Sequence, residues 1–187
     1  MCGIAGFCQN NGELSDVDLN KMTDTLRRRG PDDSGSFVNT SVGLGMRRLS
    51  IIDIEHGQQP VYSQSGRFVL VFNGEIYNYK ALRDELTERG YNFQSQGDAE
   101  VIVNLFEHEG LEALNRLRGM FAIAIWDKNN DELFLIRDQL GIKPIFYSLD
   151  NESLIFGSEI KALLEVLPEK LDINGQALDA LFAYTYI

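Results

Sequence analysis

The 187-residue chain is poor in cysteine and histidine and has fewer basic than acidic side chains. Its two cysteines, Cys2 and Cys8, cannot build a disulfide framework, and free thiols favour a reducing compartment, so we expect a cytoplasmic protein. The two histidines, His56 and His108, stand alone in the sequence and predict no metal site. Because 17 basic residues face 28 acidic ones, the net charge of −11 argues against nucleic acid as a partner.

Long hydrophobic runs are also missing. No apolar stretch approaches the roughly 18 residues that a membrane-spanning helix needs, so we expect no membrane partner. The first residues, Met1-Cys2-Gly3-Ile4, lack the basic segment that opens a secretion signal. With 44% hydrophobic and 24% charged residues, the composition is that of a globular protein.

The pattern of short apolar runs predicts stacked sheets flanked by helices. Two of the runs, Phe68–Phe72 and Met120–Trp126, are continuous, which is typical of strands buried on both faces. Asn73-Gly74-Glu75 predicts a turn after the first of them. The remaining strands are predicted at 3–8, 35–38, 42–46, 49–54, 91–94, 132–137, 145–149 and 153–157, and the helices at 15–27, 79–89, 99–109, 111–117, 159–166 and 175–184.

Cys2 is the first candidate for chemistry, because removal of Met1 would place its thiol on the N-terminal residue. The free α-amine, with a pKa of about 7.7–8, could then act as the base for the thiol of the same residue. The alternative is a buried structural cysteine, and by position alone this alternative is favoured. Cys8 has no comparable feature and is expected in the core.

Three further candidates each have a purely structural alternative. Arg48 at the head of an apolar run could bind a substrate carboxylate in a bidentate manner, or form a surface salt bridge. Asn73 and Gly74 could supply an amide and a backbone N–H to an oxyanion, or simply form a turn. Asp98 could receive an ammonium group, cap the helix predicted at 99–109, or do both.

Taken together and in this order, the motifs resemble the class II glutamine amidotransferase domain, a member of the N-terminal-nucleophile hydrolase superfamily. The resemblance extends over essentially the whole chain and is greatest to the glutamine-hydrolysing asparagine synthetases. It rests on Met1-Cys2-Gly3-Ile4-Ala5-Gly6, Arg29-Gly30-Pro31-Asp32, Arg48-Leu49-Ser50-Ile51-Ile52-Asp53, Phe72-Asn73-Gly74-Glu75-Ile76-Tyr77-Asn78, Gly97-Asp98-Ala99-Glu100, Gly119-Met120-Phe121-Ala122, Arg137-Asp138-Gln139-Leu140-Gly141-Ile142-Lys143-Pro144 and Gly157-Ser158-Glu159-Ile160-Lys161-Ala162-Leu163.

The resemblance implies an α+β fold, a four-layer αββα sandwich of two stacked, mainly antiparallel sheets flanked by helices. It also implies the site residues. Cys2 is the implied nucleophile, Asn73 and Gly74 the oxyanion donors, Arg48 the partner of the glutamine α-carboxylate and Asp98 that of its α-ammonium. The implied pocket is further lined by Leu49, Ser50, Ile51, Ile52 and Glu75, while Arg29 and Asp32 are expected to position the loop beside the nucleophile.

The function implied by the resemblance is the glutaminase half of an asparagine synthetase, with L-glutamine as substrate. Residues 1–170 would form the glutaminase domain, and 171–187 would begin the connection to a C-terminal synthetase domain, since residues 181–187 are apolar and uncapped. That further domain would use ATP and Mg²⁺ to amidate aspartate with the ammonia, whereas the glutaminase domain needs no cofactor and no metal. A homodimer is compatible with the resemblance, and a catalytically silent module of the same fold is the alternative from another functional class.

Overall fold

The computed structural model describes residues 1–10, 12–51, 53–150, 152–167 and 172–185. The strands in these ranges are β1 (Gly3–Gln9), β2 (Asp33–Val38), β3 (Val42–Arg48), β4 (Val61–Tyr62), β5 (Phe68–Ile76), β6 (Gly119–Asp127), β7 (Glu132–Arg137), β8 (Phe146–Leu149) and β9 (Ser153–Gly157). The helices are α1 (Asp16–Asp24), α2 (Tyr79–Glu88), α3 (Ala99–Glu109), α4 (Ile160–Leu164) and α5 (Gly175–Tyr184), with a 3₁₀ helix at Gly110–Arg116. None of these helices is long and apolar enough to cross a bilayer.

The described strands form two sheets, and every strand pair in them is antiparallel. One sheet has the order β2-β3-β1-β9-β8 and the other the order β4-β5-β6-β7. Within the first sheet the start of β1 lies beside the end of β3, with Gly3 opposite Arg47. Within the second, the end of β5 lies beside the start of β6, with Ile76 opposite Gly119. These two places supply most of the candidate residues.

Three layers of apolar side chains separate four layers of backbone. The inner faces of the two sheets meet in one core, which includes Ile4, Leu44 and Trp126. Helices α1 and α4 cover the outer face of the first sheet, and α2 and α3 cover the outer face of the second. The structure thus confirms the predicted αββα sandwich.

Strand β5 shows why a continuous apolar run was needed. Its side chains alternate between two cores, so that Val69 and Val71 face the other sheet whereas Phe68, Leu70 and Phe72 face the helices. Because both faces are covered, every position must be apolar. The same alternation explains the apolar run in β6.

The turn predicted at Asn73-Gly74-Glu75 is wrong, because β5 continues through these residues to Ile76. Pairing with β6 overrides the local turn preference, with Asn73 opposite Ala122 and Gly74 opposite Phe121. A Cβ atom on Gly74 would lie 2.2 Å from the carbonyl oxygen of Met120. Glycine is therefore required here by the close approach of two strands.

The strand predicted at 49–54 is also wrong, since its described residues form a loop. Arg48, the last residue of β3, bonds through its guanidinium to the carbonyl oxygens of Asp53 and Ile54 and so curls the chain back on itself. Ile51 and Ile54 are exposed. The apolar character of this segment therefore does not reflect burial in a sheet.

The strand predicted at 91–94 is absent as well. Two of its backbone N–H groups bond to side chains instead of to a neighbouring strand: Asn92 N–H donates to Gln64 Oε1, and Gln94 N–H donates to the Glu100 carboxylate. Most other predicted elements differ from the observed ones only at their ends. The predicted division after residue 170 falls within 168–171, outside the described residues, and remains a prediction.

Candidate active site

A cavity of about 560 Å³ opens where the start of β1, the end of β3, the end of β5 and the start of β6 come together. The beginning of α3 and the loop between β3 and β4 complete its wall. Most of the residues singled out from the sequence line this cavity, although they are far apart in the chain. They are Cys2, Arg48, Leu49, Ile51, Asn73, Gly74, Glu75 and Asp98.

Cys2 lies half-buried immediately before β1, at the edge of the core between the sheets. Its sulfur accepts a hydrogen bond from Leu49 N–H at 3.4 Å and lies 3.7 Å from the Leu49 carbonyl oxygen. Its carbonyl oxygen accepts a hydrogen bond from Arg29 Nε at 2.9 Å, and Arg29 is in turn paired with Glu159 at 3.2 Å. The thiol thus lines the cavity with its sulfur in contact with Leu49 and its own carbonyl oxygen held by Arg29.

Asn73 lies on the inner face of β5 and is only 1% exposed. Its side-chain nitrogen Nδ2 is buried and has no hydrogen-bond partner among the described residues. Burying an amide donor without a partner costs about 1–3 kcal/mol, so such groups are rare and call for an explanation. Because Asn73 shares the cavity with Cys2, a ligand oxygen near the thiol is a partner that would satisfy this donor.

Arg48 is 5% exposed, which excludes the alternative of a surface salt bridge. Its guanidinium lies in the cavity wall and donates to the carbonyl oxygens of Asp53 at 2.6 Å and Ile54 at 3.3 Å. These bonds fix the direction of the side chain. A cation held in this way is prepared for a carboxylate in the cavity.

Asp98 occupies the position before α3, but its carboxylate makes no capping hydrogen bond to that helix. It accepts the Ile76 N–H at 2.9 Å and so ties the end of β5 to the start of α3. Burial raises the pKa of this carboxyl, the Ile76 N–H opposes the shift, and the negative charge of Glu75 adds to it. An ammonium ion in the cavity would act in the opposite direction and favour the ionised form.

The segment after Arg48 contributes to the site unevenly. Leu49 and Ile51 line the cavity, whereas Ser50 is not among the lining residues and donates its N–H to Asp32 at 2.8 Å. Asp32 thus holds the loop beside Cys2. Ile52 lies outside the described residues, so its place in the pocket remains a prediction.

Several lining residues were given no role from the sequence. Glu100 and Lys143 belong to motifs quoted above, and both are buried in the wall of the cavity. Lys143 Nζ lies 3.2 Å from the sulfur of Met1. The stretch 56–64 also lines the cavity, and no sequence signal marks it, because it is brought there only by the course of the chain from the loop after β3 through β4.

The cavity is rich in charge of both signs but offers no metal site within the described ranges. Arg48 and Lys143 bring positive charge, and Glu75, Asp98 and Glu100 bring negative charge. No three histidine, cysteine or carboxylate side chains of the described chain are grouped to hold a metal ion. The arrangement suits a small zwitterion beside a thiol and an oxyanion donor.

Comparison with known proteins points to one family. A family model described as a glutamine amidotransferase domain matches residues 1–187. Asparagine synthetase (glutamine-hydrolyzing) 1 of Bacillus subtilis (strain 168) is 39% identical over 191 residues, covering 100% of this chain and 30% of that protein. Asparagine synthetase B (glutamine-hydrolyzing) of Escherichia coli (strain K12) is 41% identical over 171 residues, covering 89% of this chain and 30% of that protein. The chain thus spans about a third of the length of these curated relatives.

Solved structures agree on the fold. The glutamine phosphoribosylpyrophosphate amidotransferase from B. subtilis, complexed with ADP and GMP, aligns with a TM-score of 0.73 at 21% identity and covers 87% of this chain and 43% of that one. A structure described as the allosteric regulatory enzyme of purine biosynthesis aligns with a TM-score of 0.72 at 20% identity, covering 88% and 43%. At this level of identity the likeness concerns the fold alone.

Proposed function

Because the chain belongs to the glutamine amidotransferase domain family, we propose that it hydrolyses the side-chain amide of L-glutamine to glutamate and ammonia. One observation supports this above all others: the Cys2 thiol shares a cavity with the unpartnered amide nitrogen of Asn73. Arg48 and Asp98 in the same wall match the two charged ends of a free amino acid. A peptide-linked glutamine lacks one or both of those charges and should be rejected.

The proposed reaction begins once Met1 has been removed. The α-amine of Cys2 takes the thiol proton, and the thiolate attacks the side-chain amide carbon of glutamine. Negative charge develops on the amide oxygen, where Asn73 and the backbone of Gly74 donate hydrogen bonds. The C–N bond breaks, ammonia leaves with the proton from the α-ammonium group, and a thioester remains. Water activated by the α-amine then hydrolyses the thioester to glutamate and restores the thiol.

The direct test is to measure glutamate release from L-glutamine by protein whose N-terminus is Cys2. We expect turnover of L-glutamine and none of a peptide in which glutamine is an internal residue. Equal turnover of the two substrates would contradict the proposed roles of Arg48 and Asp98. Absence of both activities would contradict the glutaminase proposal itself.

The Asn73→Ala variant tests the oxyanion role. One oxyanion donor is typically worth about 10²–10³ in rate, so we expect kcat to fall by that factor with little change in KM. The thermal stability should not fall much, because the deleted amide nitrogen Nδ2 has no partner in the described structure. Asn39→Ala is the matched control, since Asn39 Oδ1 accepts the N–H groups of Ser41 and Val42 in a turn away from the cavity. That variant should lose stability and keep its kcat.

Asp98 makes glutamine binding dependent on pH. Lowering the pH protonates Asp98 and removes the charge that binds the ammonium group. Because burial raises the pKa of this carboxyl, we expect the affinity for glutamine to begin falling at a higher pH than it would with a surface aspartate. Asp98→Asn should weaken binding by about 10- to 100-fold, the worth of a hydrogen bond to a charged group. Calorimetric titration of the Cys2→Ala protein with glutamine across pH measures this without turnover. A pH-independent affinity in the protein that retains Asp98 would contradict the assignment.

The raised pKa of Asp98 also affects the stability of the fold, and here the ionised form is the unfavourable one. A carboxyl whose pKa is raised by folding stabilises the fold at low pH, and this contribution is lost as the pH rises through the raised pKa. The Asp98→Asn variant should therefore melt at a higher temperature than the unsubstituted protein at neutral pH, while binding glutamine less well.

The amide acceptor is a further part of the proposal. By its resemblance to proteins named asparagine synthetases, the chain is proposed to be the glutaminase domain, 1–170, of a longer cytoplasmic protein. Its remaining domain would amidate aspartate with ATP and Mg²⁺. The pyrophosphate loop typical of such synthetase domains, of Ser-Gly-Gly-x-Asp-Ser type, does not occur in the 187 residues, so no residue of this chain is assigned to the nucleotide. Asparagine formation from aspartate, glutamine and ATP by the longer protein would test this part.

A further inference from the structure

Asp53 lies at the centre of the loop that follows Arg48, and none of the proposed chemistry uses it. Its backbone has a φ of +49°, in the left-handed region that aspartate tolerates better than most residues. Its carbonyl oxygen accepts hydrogen bonds from the Arg48 guanidinium at 2.6 Å and from Gly57 N–H at 2.9 Å. Its carboxylate accepts the N–H of His56 at 3.2 Å and, from outside the loop, the N–H of Gln96.

The bond to Gln96 reaches the segment that leads into Asp98. The two residues before Gln96 are held by α3, since the Glu100 carboxylate accepts the N–H groups of Gln94 and Ser95 at 2.8–3.1 Å. The carbonyl oxygens of Ser95 and Gly97 are held by α2, each accepting a hydrogen bond from the Arg83 guanidinium at 2.6 Å. These contacts all come from helices on the same side of the cavity as Asp98. The Gln96 N–H is the group in this segment that bonds across to the loop of Arg48.

We propose that Asp53 is a positioning residue, which sets the separation between the Arg48 guanidinium and the Asp98 carboxylate. The inference rests on the proposed function, in which those two groups bind the α-carboxylate and the α-ammonium of glutamine. Both substrate charges are attached to a single carbon atom, so their protein partners must be held at a matching distance. Asp53 orients Arg48 with its carbonyl oxygen and holds the chain before Asp98 with its carboxylate.

The electrostatics of Asp53 agree with this role. The Gln96 N–H lowers the pKa of the Asp53 carboxyl, and the N–H and ring of His56 act in the same direction against partial desolvation. The carboxylate is therefore a charged acceptor at neutral pH, and hydrogen bonds to charged acceptors are the stronger ones. The unfavourable φ of the residue is maintained by the bonds that its own backbone makes to Arg48 and Gly57.

The test compares Asp53→Ala with a matched aspartate that fixes a loop elsewhere. Asp150 accepts the N–H groups of Glu152 and Ser153 at 2.8 and 2.7 Å in the turn between β8 and β9, and it does not line the cavity. We expect Asp53→Ala to raise the KM for glutamine about tenfold with kcat changed less than about twofold. Asp53→Asn, which keeps one acceptor oxygen, should recover part of the loss, and Asp150→Ala should leave both constants unchanged.

Two further measurements separate positioning from general damage. In the Asp98→Asn background, Asp53→Ala should raise KM less than about twofold, because its effect acts through the pair it aligns. Hydrogen exchange of the segment 94–98 should be faster in Asp53→Ala and unchanged in Asp150→Ala. An unchanged KM in Asp53→Ala, or an equal loss in both backgrounds, would overturn the positioning role and leave the glutaminase proposal standing. Failure of the unsubstituted protein to hydrolyse glutamine would instead overturn the proposed function.

Discussion

Cys2→Ala is expected to abolish glutamate release, lowering it by at least about 10³–10⁴-fold. The reason is chemical, since alanine offers no atom that could form the thioester. The cost in packing should be small, because the side chain is half-buried and its polar contacts are two long ones to the backbone of Leu49. Glutamate release and a thermal melt of the same preparation check both halves of this expectation.

Cys8 provides the matched control for this experiment. It is the other cysteine of the chain, it is also half-buried, and it packs against the same core between the sheets. Burial raises the pKa of its thiol, with Asp131 adding to the shift, so it remains protonated and a poor nucleophile at neutral pH. Cys8→Ala should therefore keep its activity. Loss of activity in both variants, or unfolding of Cys2→Ala, would favour a structural role for Cys2.

Protein that retains Met1 is expected to be inactive. With Met1 attached, the nitrogen of Cys2 belongs to a peptide bond and cannot accept the thiol proton. The Met1 residue also lies in the wall of the cavity, with its sulfur 3.2 Å from Lys143 Nζ. Two preparations test this: one with a fixed N-terminal extension, and one in which a protease cuts the same extension immediately before Cys2. Mass spectrometry confirms each N-terminus, and activity should appear only in the cut sample.

The experiment with Met1 retained separates the role of the base, the α-amine, from that of the nucleophile, the thiol. The extended protein keeps the thiol, Asn73, Arg48 and Asp98, so it should still bind glutamine more tightly than an Asp98→Asn variant does. Full activity with Met1 in place would show that another group accepts the proton, and the role of the α-amine would have to be abandoned.

Periodicity predicted the layers of this fold well, because each layer depends on side chains that repeat along the chain. The alternation of Val69 and Val71 with Leu70 and Phe72 between two cores requires an apolar run, and the run is visible in the sequence. The bounds of α3 and of β7 were predicted correctly for the same reason. The arrangement of the two sheets around the cavity follows from long-range pairing, and here it was the family resemblance that supplied the prediction.

Predictions from local sequence preference were wrong where groups outside the segment bond to its backbone. An Asn-Gly pair favours a turn, yet Asn73 and Gly74 remain in β5 because β6 pairs with them. Residues near Gln94 have the composition of a strand, but the Glu100 carboxylate takes their N–H groups. The first contact is backbone pairing between two strands and the second is a bond between a backbone and a side chain, and periodicity reveals neither.

Some site residues could be predicted from the sequence and others could not. Cys2, Arg48, Asn73 and Asp98 were singled out for their chemistry, and the structure brings all four to one cavity. Asp53 could not be assigned a role from the sequence, because its contact with Gln96 spans 43 residues. Residues that act on the substrate can be recognised by type, whereas residues that position them are recognised only from the contacts they make.

The most direct test of the central claim is to trap the covalent intermediate. Protein with Cys2 as its first residue would be mixed with L-glutamine, quenched in acid within the first turnover and measured by intact mass and peptide mapping. The account predicts a glutamyl group attached to the peptide that contains Cys2, and its absence from the Cys2→Ala protein treated in the same way. Active turnover with no adduct at Cys2, or with an adduct on Cys8, would contradict the account.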